Sequence, residues 1–105
     1  MKFAFMLLLL CPAMILAADM EVGLKIKHHQ FNPTDIKVPS GKKVKLVVHN
    51  QDPTPEEFES YELNREKIVA GNAKANIYIG PLEPGSYPFF GEFHDNTARG
   101  MIIVE

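Results

Sequence analysis

Cysteine is nearly absent from this chain. The 105 residues include one, Cys11, set inside an apolar run near the N-terminus. No disulfide framework is available to the rest of the sequence. An excess of charge of one sign is missing too. Eleven Lys and Arg stand against thirteen Asp and Glu, a formal net charge of −2. No basic stripe appears, which removes the electrostatic case for nucleic-acid binding. The sequence also lacks an amphipathic helical stretch of useful length, an internal repeat and a low-complexity segment beyond the first residues. A Gly-rich phosphate loop and a nucleophile–base pair are missing as well, so no common enzyme class is indicated.

What is present begins with a targeting pattern. Met1-Lys2 is a short basic start, Phe3 to Leu16 is an apolar run, and Leu16-Ala17-Ala18 offers small residues for cleavage. That is the layout of a secretory signal peptide, and the run is shorter than the roughly 20 apolar residues a membrane span requires. The expected division is a signal over residues 1–18 and one domain over 19–105, exported to the periplasm. Cys11 leaves with the signal. Loss of Lys2 leaves 10 basic residues against 13 acidic ones, a net of −3. A domain of about 87 residues without a disulfide relies on packing, or on a bound metal.

The domain reads as β structure. Val22 to Lys27, Ile36 to Val38, Val44 to Val48 and Ala75 to Ile79 alternate apolar and polar residues, as half-buried strands do. Tyr87 to Phe90 and Met101 to Val104 read as further strands, and Phe58 to Leu63 as another candidate. Asn32-Pro33-Thr34-Asp35, Pro39-Ser40-Gly41-Lys42 and Pro81 to Gly85 carry turn residues between them. Short strands parted by Gly/Pro turns predict an all-β sandwich or small barrel. Asn64 to Gly71 is the one place where a helical turn is considered.

Two segments carry chemistry. The first is acidic: Glu56, Glu57, Glu59, Glu62 and Glu66 fall within eleven residues. Residues i and i+2 share one face of a strand, so Glu57 and Glu59 project together. Either that face meets the functional end of the sandwich, or Phe58 turns inward and Glu56 takes the functional place. The first arrangement is preferred. A solvated acidic strand is the competing reading. The second segment is Tyr87-Pro88-Phe89-Phe90-Gly91-Glu92-Phe93-His94, followed by a loop to Gly100-Met101. Of the other histidines, His28 and His29 read as surface or turn residues, with a weak secondary Cu(II) site as the alternative, and His49 as a strand end. The tyrosines read as packing aromatics with a polar tip.

The second segment resembles the C-terminal ligand loop of the cupredoxins, small copper-binding sandwiches. Their loop has aromatics where Tyr87, Phe89 and Phe90 stand, a Cys where Gly91 stands, and a His where His94 stands. The stretch from Phe31-x-Pro33 through Ile36-x-Val38, Gly41 and Val44-x-Leu46-x-Val48-x-Asn50 is similar to the opening of many such domains. The resemblance covers Val22 to Val104 and implies a cupredoxin-like Greek-key β-sandwich. A blue-copper centre is a His₂Cys site, and Gly91 denies it the thiolate. The Glu57-Phe58-Glu59-Ser60 segment, Arg65-Glu66-Lys67 and the Gly91 to His94 loop resemble a narrower group. These are the cysteine-less periplasmic cupredoxins of bacterial iron uptake. That resemblance implies a site for copper or iron at Glu57, Glu59, Glu92 and His94, with Glu66 and Met101 as secondary candidates. It also implies a membrane iron permease and a second periplasmic metal-binding protein as partners. Carboxylates favour hard ions and imidazole suits Cu and Fe, so oxidation of Fe(II) is the activity considered. The alternatives are a copper chaperone or electron carrier with no role in iron, and a metal-free interaction module.

Overall fold

The structure, a computed structural model, describes residues 18–105. The segment expected to act as a signal lies outside the described residues, apart from Ala18. Nine strands follow: β1 (Met20–Lys27), β2 (Gln30–Asn32), β3 (Asp35–Val38), β4 (Val44–Asn50), β5 (Glu56–Ser60), β6 (Arg65–Val69), β7 (Ala73–Ile79), β8 (Gly85–Gly91) and β9 (Arg99–Val104). A single 3-10 turn, Glu92–His94, follows β8. The strands form a four-stranded sheet in the order β2-β1-β4-β7 and a five-stranded sheet in the order β3-β9-β8-β5-β6. The β1/β4 and β3/β9 pairs run parallel and the others antiparallel. This is the all-β sandwich that the alternating strands predict.

The two sheets close on the apolar residues of the alternating pattern. Leu24 and Ile26 of β1 and Val44, Leu46 and Val48 of β4 are fully buried. They meet Phe58 of β5, Phe89 of β8 and Ile102 of β9 from the opposite sheet. Each such side chain contributes about 1.5–3 kcal/mol by leaving water. Phe31, Phe58 and Phe89 form an aromatic cluster, with ring centroids 5.0 Å apart for Phe31–Phe89 and 5.1 Å for Phe58–Phe89. Gly100 is needed where the Phe89 ring rests on the β9 backbone, because a side chain at position 100 would enter that ring. Tyr87 fits its reading as a packing residue with a polar tip: its hydroxyl donates to the Glu83 carbonyl at 2.8 Å.

Residues 64–71 hold no helical turn. Arg65–Val69 is a strand, paired antiparallel with β5 from Glu56↔Val69 to Ser60↔Arg65. Four of its five residues are exposed, so it shows none of the alternation by which a strand is recognised. The chain reverses before it through Asn64 in the left-handed region, φ 55°.

Candidate metal centre

Three connections meet at one end of the sandwich. They are the β1–β2 turn at His28–His29, the β4–β5 loop at 51–55, and the β8–β9 loop at 92–98. Asn50, the last residue of β4, is fully buried. Its amide donates to the Thr54, Val69 and Ala70 carbonyls, and its side-chain oxygen accepts the Asp52 N–H. Asp52, thus placed, accepts the His28 and His29 N–H groups at 2.8 and 2.9 Å. Both histidines sit in the left-handed region, φ 55° and 57°, and the carboxylate fixes that turn. Burial pushes the Asp52 pKa up, but the two N–H donors together with attraction from the His29 and His28 side chains outweigh it, and the pKa ends below the ordinary value. Thr97 closes the third side, its hydroxyl donating to the His29 carbonyl at 2.7 Å.

Glu56 lies at the centre of this end. It is 2 % exposed, and Phe58 on the same strand face is 0 % exposed. The structure therefore adopts the second of the two arrangements open to this strand: Phe58 turns inward and carries Glu56 with it. The Glu56 carboxylate accepts the Glu57 and Phe93 N–H groups at 2.9 Å each and lies 2.7 Å from His94 Nδ1. Every lone pair so used is matched by a donor, which is what permits a buried carboxylate. With Nδ1 engaged, the His94 ring has a fixed orientation and keeps Nε2 as its remaining nitrogen. His94 also stacks on His29, with centroids 3.6 Å apart and planes within 12°.

Gly91 explains how the carboxylate fits. A Cβ at position 91 would lie 2.6 Å from Glu56 Cδ, 2.8 Å from Glu56 Oε2 and 2.8 Å from Ala98 Cβ. The acid fills the space that a side chain at 91 would need. The Gly91 N–H donates to the Ala98 carbonyl at 2.9 Å and closes the loop. A His₂Cys blue-copper set does not fit this end: the thiol is missing, and Glu56 occupies both its volume and His94 Nδ1.

The other predicted residues gather elsewhere. Glu57 and Glu59 alternate with Phe58 and face outward from the five-stranded sheet, opposite Ile68 and Glu66 of β6. Ligand oxygens of Glu57, Glu59 and Glu66 all lie within 4.8 Å of one another. Glu57 is pushed up to about 7, first by a hydrogen bond with the Glu66 carboxyl, then by lost hydration, then by repulsion from Glu66, Glu59 and Glu92. Lost hydration and repulsion from Glu66 and Glu92 raise Glu59 as well. Glu92 thus belongs electrostatically with this outer group, while His94 belongs with Glu56. The expected convergence of His94 with Glu57 and Glu59 is replaced by two separate loci. Met101 pairs with Pro88 across β8 and β9 and is half-buried, one place out of phase with the buried Ile102. The sequence offers Glu56 only as the second choice and His29 only as a turn residue or weak secondary ligand, and it does not single out Asp52. The available signal for Asp52 was a lone acid two residues past a strand-end Asn and directly before a proline.

The chain matches the cupredoxin-like domain model over residues 1–104, and it belongs to that family. It is 51 % identical over 85 residues to the uncharacterized protein RP394 of Rickettsia prowazekii, a match covering 81 % of this chain and 68 % of the relative. Among solved structures it resembles the metal-binding domain of the Cu(I)-exporting P-type ATPase CopA of Streptococcus pneumoniae. The TM-score is 0.74 at 16 % identity, covering 87 % of this chain and 91 % of that one. It also resembles auracyanin A, a blue copper protein of Chloroflexus aurantiacus, with a TM-score of 0.70 at 12 % identity over 81 % of this chain and 98 % of that one. At these identities the likeness is one of fold, and it establishes the cupredoxin-like sandwich.

Proposed function

We propose that this protein is an exported, thiolate-free cupredoxin that binds iron or copper through carboxylates and histidine and serves iron uptake. The observation that carries the reading is the gathering of Glu57, Glu59 and Glu66 oxygens within 4.8 Å, with Glu57 held protonated to about 7 by its neighbours. Three carboxylates in mutual repulsion are a donor set for a hard cation, whose binding relieves that repulsion. Such a set favours Fe(III) over Fe(II) and so favours oxidation of bound Fe(II), provided one electron passes to an acceptor. His94, oriented at Nδ1 by Glu56, is the second locus. Its Nε2 suits copper, and the carboxylate behind it holds the ring in orientation for that role. Copper held there would supply the one-electron acceptor that oxidation of Fe(II) needs, passing from Cu(II) to Cu(I) as Fe(II) becomes Fe(III). A membrane iron permease and a second periplasmic metal-binding protein are the partners this role calls for.

A copper carrier with no role in iron is the second reading, favoured by the His94–Glu56 pair alone. Calorimetric titration separates the two. Anaerobic Fe(II) binding that is lost in Glu57→Gln/Glu66→Gln supports the iron reading, and Cu(II) binding alone supports the copper reading. Uptake of neither metal at micromolar concentration overturns both. In either case the Cu(II) form shows no intense visible thiolate band, and a deep blue protein would contradict the loop assignment. Export is tested by mass: protein from the periplasm should begin at or near Asp19, and an intact Met1 would refute cleavage.

A further inference from the structure

The outer face of the four-stranded sheet carries a row of hydrogen-bond donors that the metal-binding reading does not use. The strand register places Asn32 opposite Lys25, Lys25 opposite His49, and His49 opposite Lys74. One residue from each of β2, β1, β4 and β7 thus stands in a single line across the sheet. An open hollow of about 400 Å³ lies along this line, lined by Gly23, Lys25, Asn32, Val47, His49 and Lys74 among others. Its floor includes Gly23, a glycine in the interior of β1. A Cβ at Gly23 would meet nothing within 4 Å, so neither packing nor a positive φ demands a glycine there. A strand-interior glycine weakens the strand, and one common reason for it is close approach of a ligand.

The charges point the same way. Among the described residues, Lys45 pairs with Glu21 at 3.8 Å, whereas neither Lys25 nor Lys74 has a carboxylate within 4.0 Å. Lys25 and Lys74 flank His49 two strands apart, so an anion seated between them meets positive charge from both sides. Lysine binds phosphate as a compact point charge whose three rotatable donors can follow the oxygens presented to them. A tetrahedral phosphate can also use donors arriving from several strands at once.

We infer that the Asn32–Lys25–His49–Lys74 row is a binding site for a phosphate group, either free or borne on a lipid headgroup. The site is distinct from both carboxylate loci, so its test does not depend on metal binding.

The test titrates the metal-free protein with inorganic phosphate at fixed pH while amide resonances are followed. Saturable shifts at Gly23 and Val47, weakened about tenfold in Lys25→Gln and in Lys74→Gln, support the free ligand; tenfold is the worth of one charge-assisted hydrogen bond. Lys45→Gln should change the affinity far less. Gly23→Asp, which the open space accommodates, should abolish binding without unfolding the sheet. Co-sedimentation with phosphatidylcholine vesicles containing phosphatidic acid, but not with phosphatidylcholine alone, supports a headgroup if the same variants lose it. If neither probe binds, or if binding is indifferent to Lys25, Lys74 and Gly23, the inference is overturned.

Discussion

A single methyl group at position 91 would contest the space now held by the Glu56 carboxylate and the Ala98 methyl. Overpacking of this kind costs about 1–3 kcal/mol, and Gly91→Ala should lose that much stability in urea unfolding. The competing group is named, so the loss should be smaller in a Glu56→Ala background. Strict additivity of the two changes would show that Glu56 and residue 91 do not share a volume. Asn50 sets a second expectation at this scale. Its buried amide satisfies three carbonyls and its oxygen one N–H. Asn50→Ala orphans groups that each cost about 1–3 kcal/mol when left unpaired. It should therefore cost on the order of 3 kcal/mol and loosen the His28–His29 turn, because Asp52 depends on Asn50 for its placement. Unchanged hydrogen-exchange protection at His28 and His29 in that variant would contradict the chain of support.

The β5–β6 hairpin puts three carboxylates on one exposed face, and stability should depend on pH accordingly. Glu57 binds its proton more tightly folded than unfolded, with a folded pKa of about 7 against an ordinary value of 4.5. Between those values the folded state holds more protons, so this group's contribution falls as pH rises. It is fully present below about 4.5 and lost as pH passes through 7. In the metal-free protein, Glu57→Gln should flatten the stability profile over that window and leave a more stable protein at pH 8. A variant that tracks wild type from pH 5 to 8 would rule out the repulsive cluster. The same hairpin shows what could be read beforehand. Alternation revealed β1, β4 and β7 because one face of each is buried. It failed for β6, an edge strand exposed at Arg65, Glu66, Lys67 and Ile68, where nothing separates inside from outside. The phase of β5 was decidable in principle. A strand that buries Phe58 must carry residues 56 and 60 to the same side. Burial of Phe58 contributes about 1.5–3 kcal/mol, and the Glu56 carboxylate is tolerated inside once three donors meet it. Those donors arrive from Glu57 and from the distant Phe93 and His94, and no local pattern announces the distant pair.

At the scale of the whole domain, the two loci differ in kind. Glu56 and His94 are tied into the three connections at the end of the sandwich, while Glu57, Glu59 and Glu66 lie on the outer surface of one sheet. A cation bound only by the folded state stabilises it by RT ln(1 + [L]/Kd), about 2.7 kcal/mol at one hundred times Kd. For a domain of this length that is a rise of about 10–20 °C in Tm, and a chelator should reverse it. The loci should respond to different ions. Carboxylates alone suit a hard cation, and an imidazole suits copper. Anaerobic Fe(II) should therefore raise the Tm of His94→Ala as it does for wild type and fail to do so for Glu66→Gln. Cu(II) should show the opposite pattern. The Fe(II) effect should also grow from pH 6 to pH 8, because the ion must displace the proton that Glu57 retains to about 7. If one substitution abolishes the response to both metals, a single shared site replaces the two loci. If the Fe(II) response is indifferent to pH, the outer carboxylates are not its ligands.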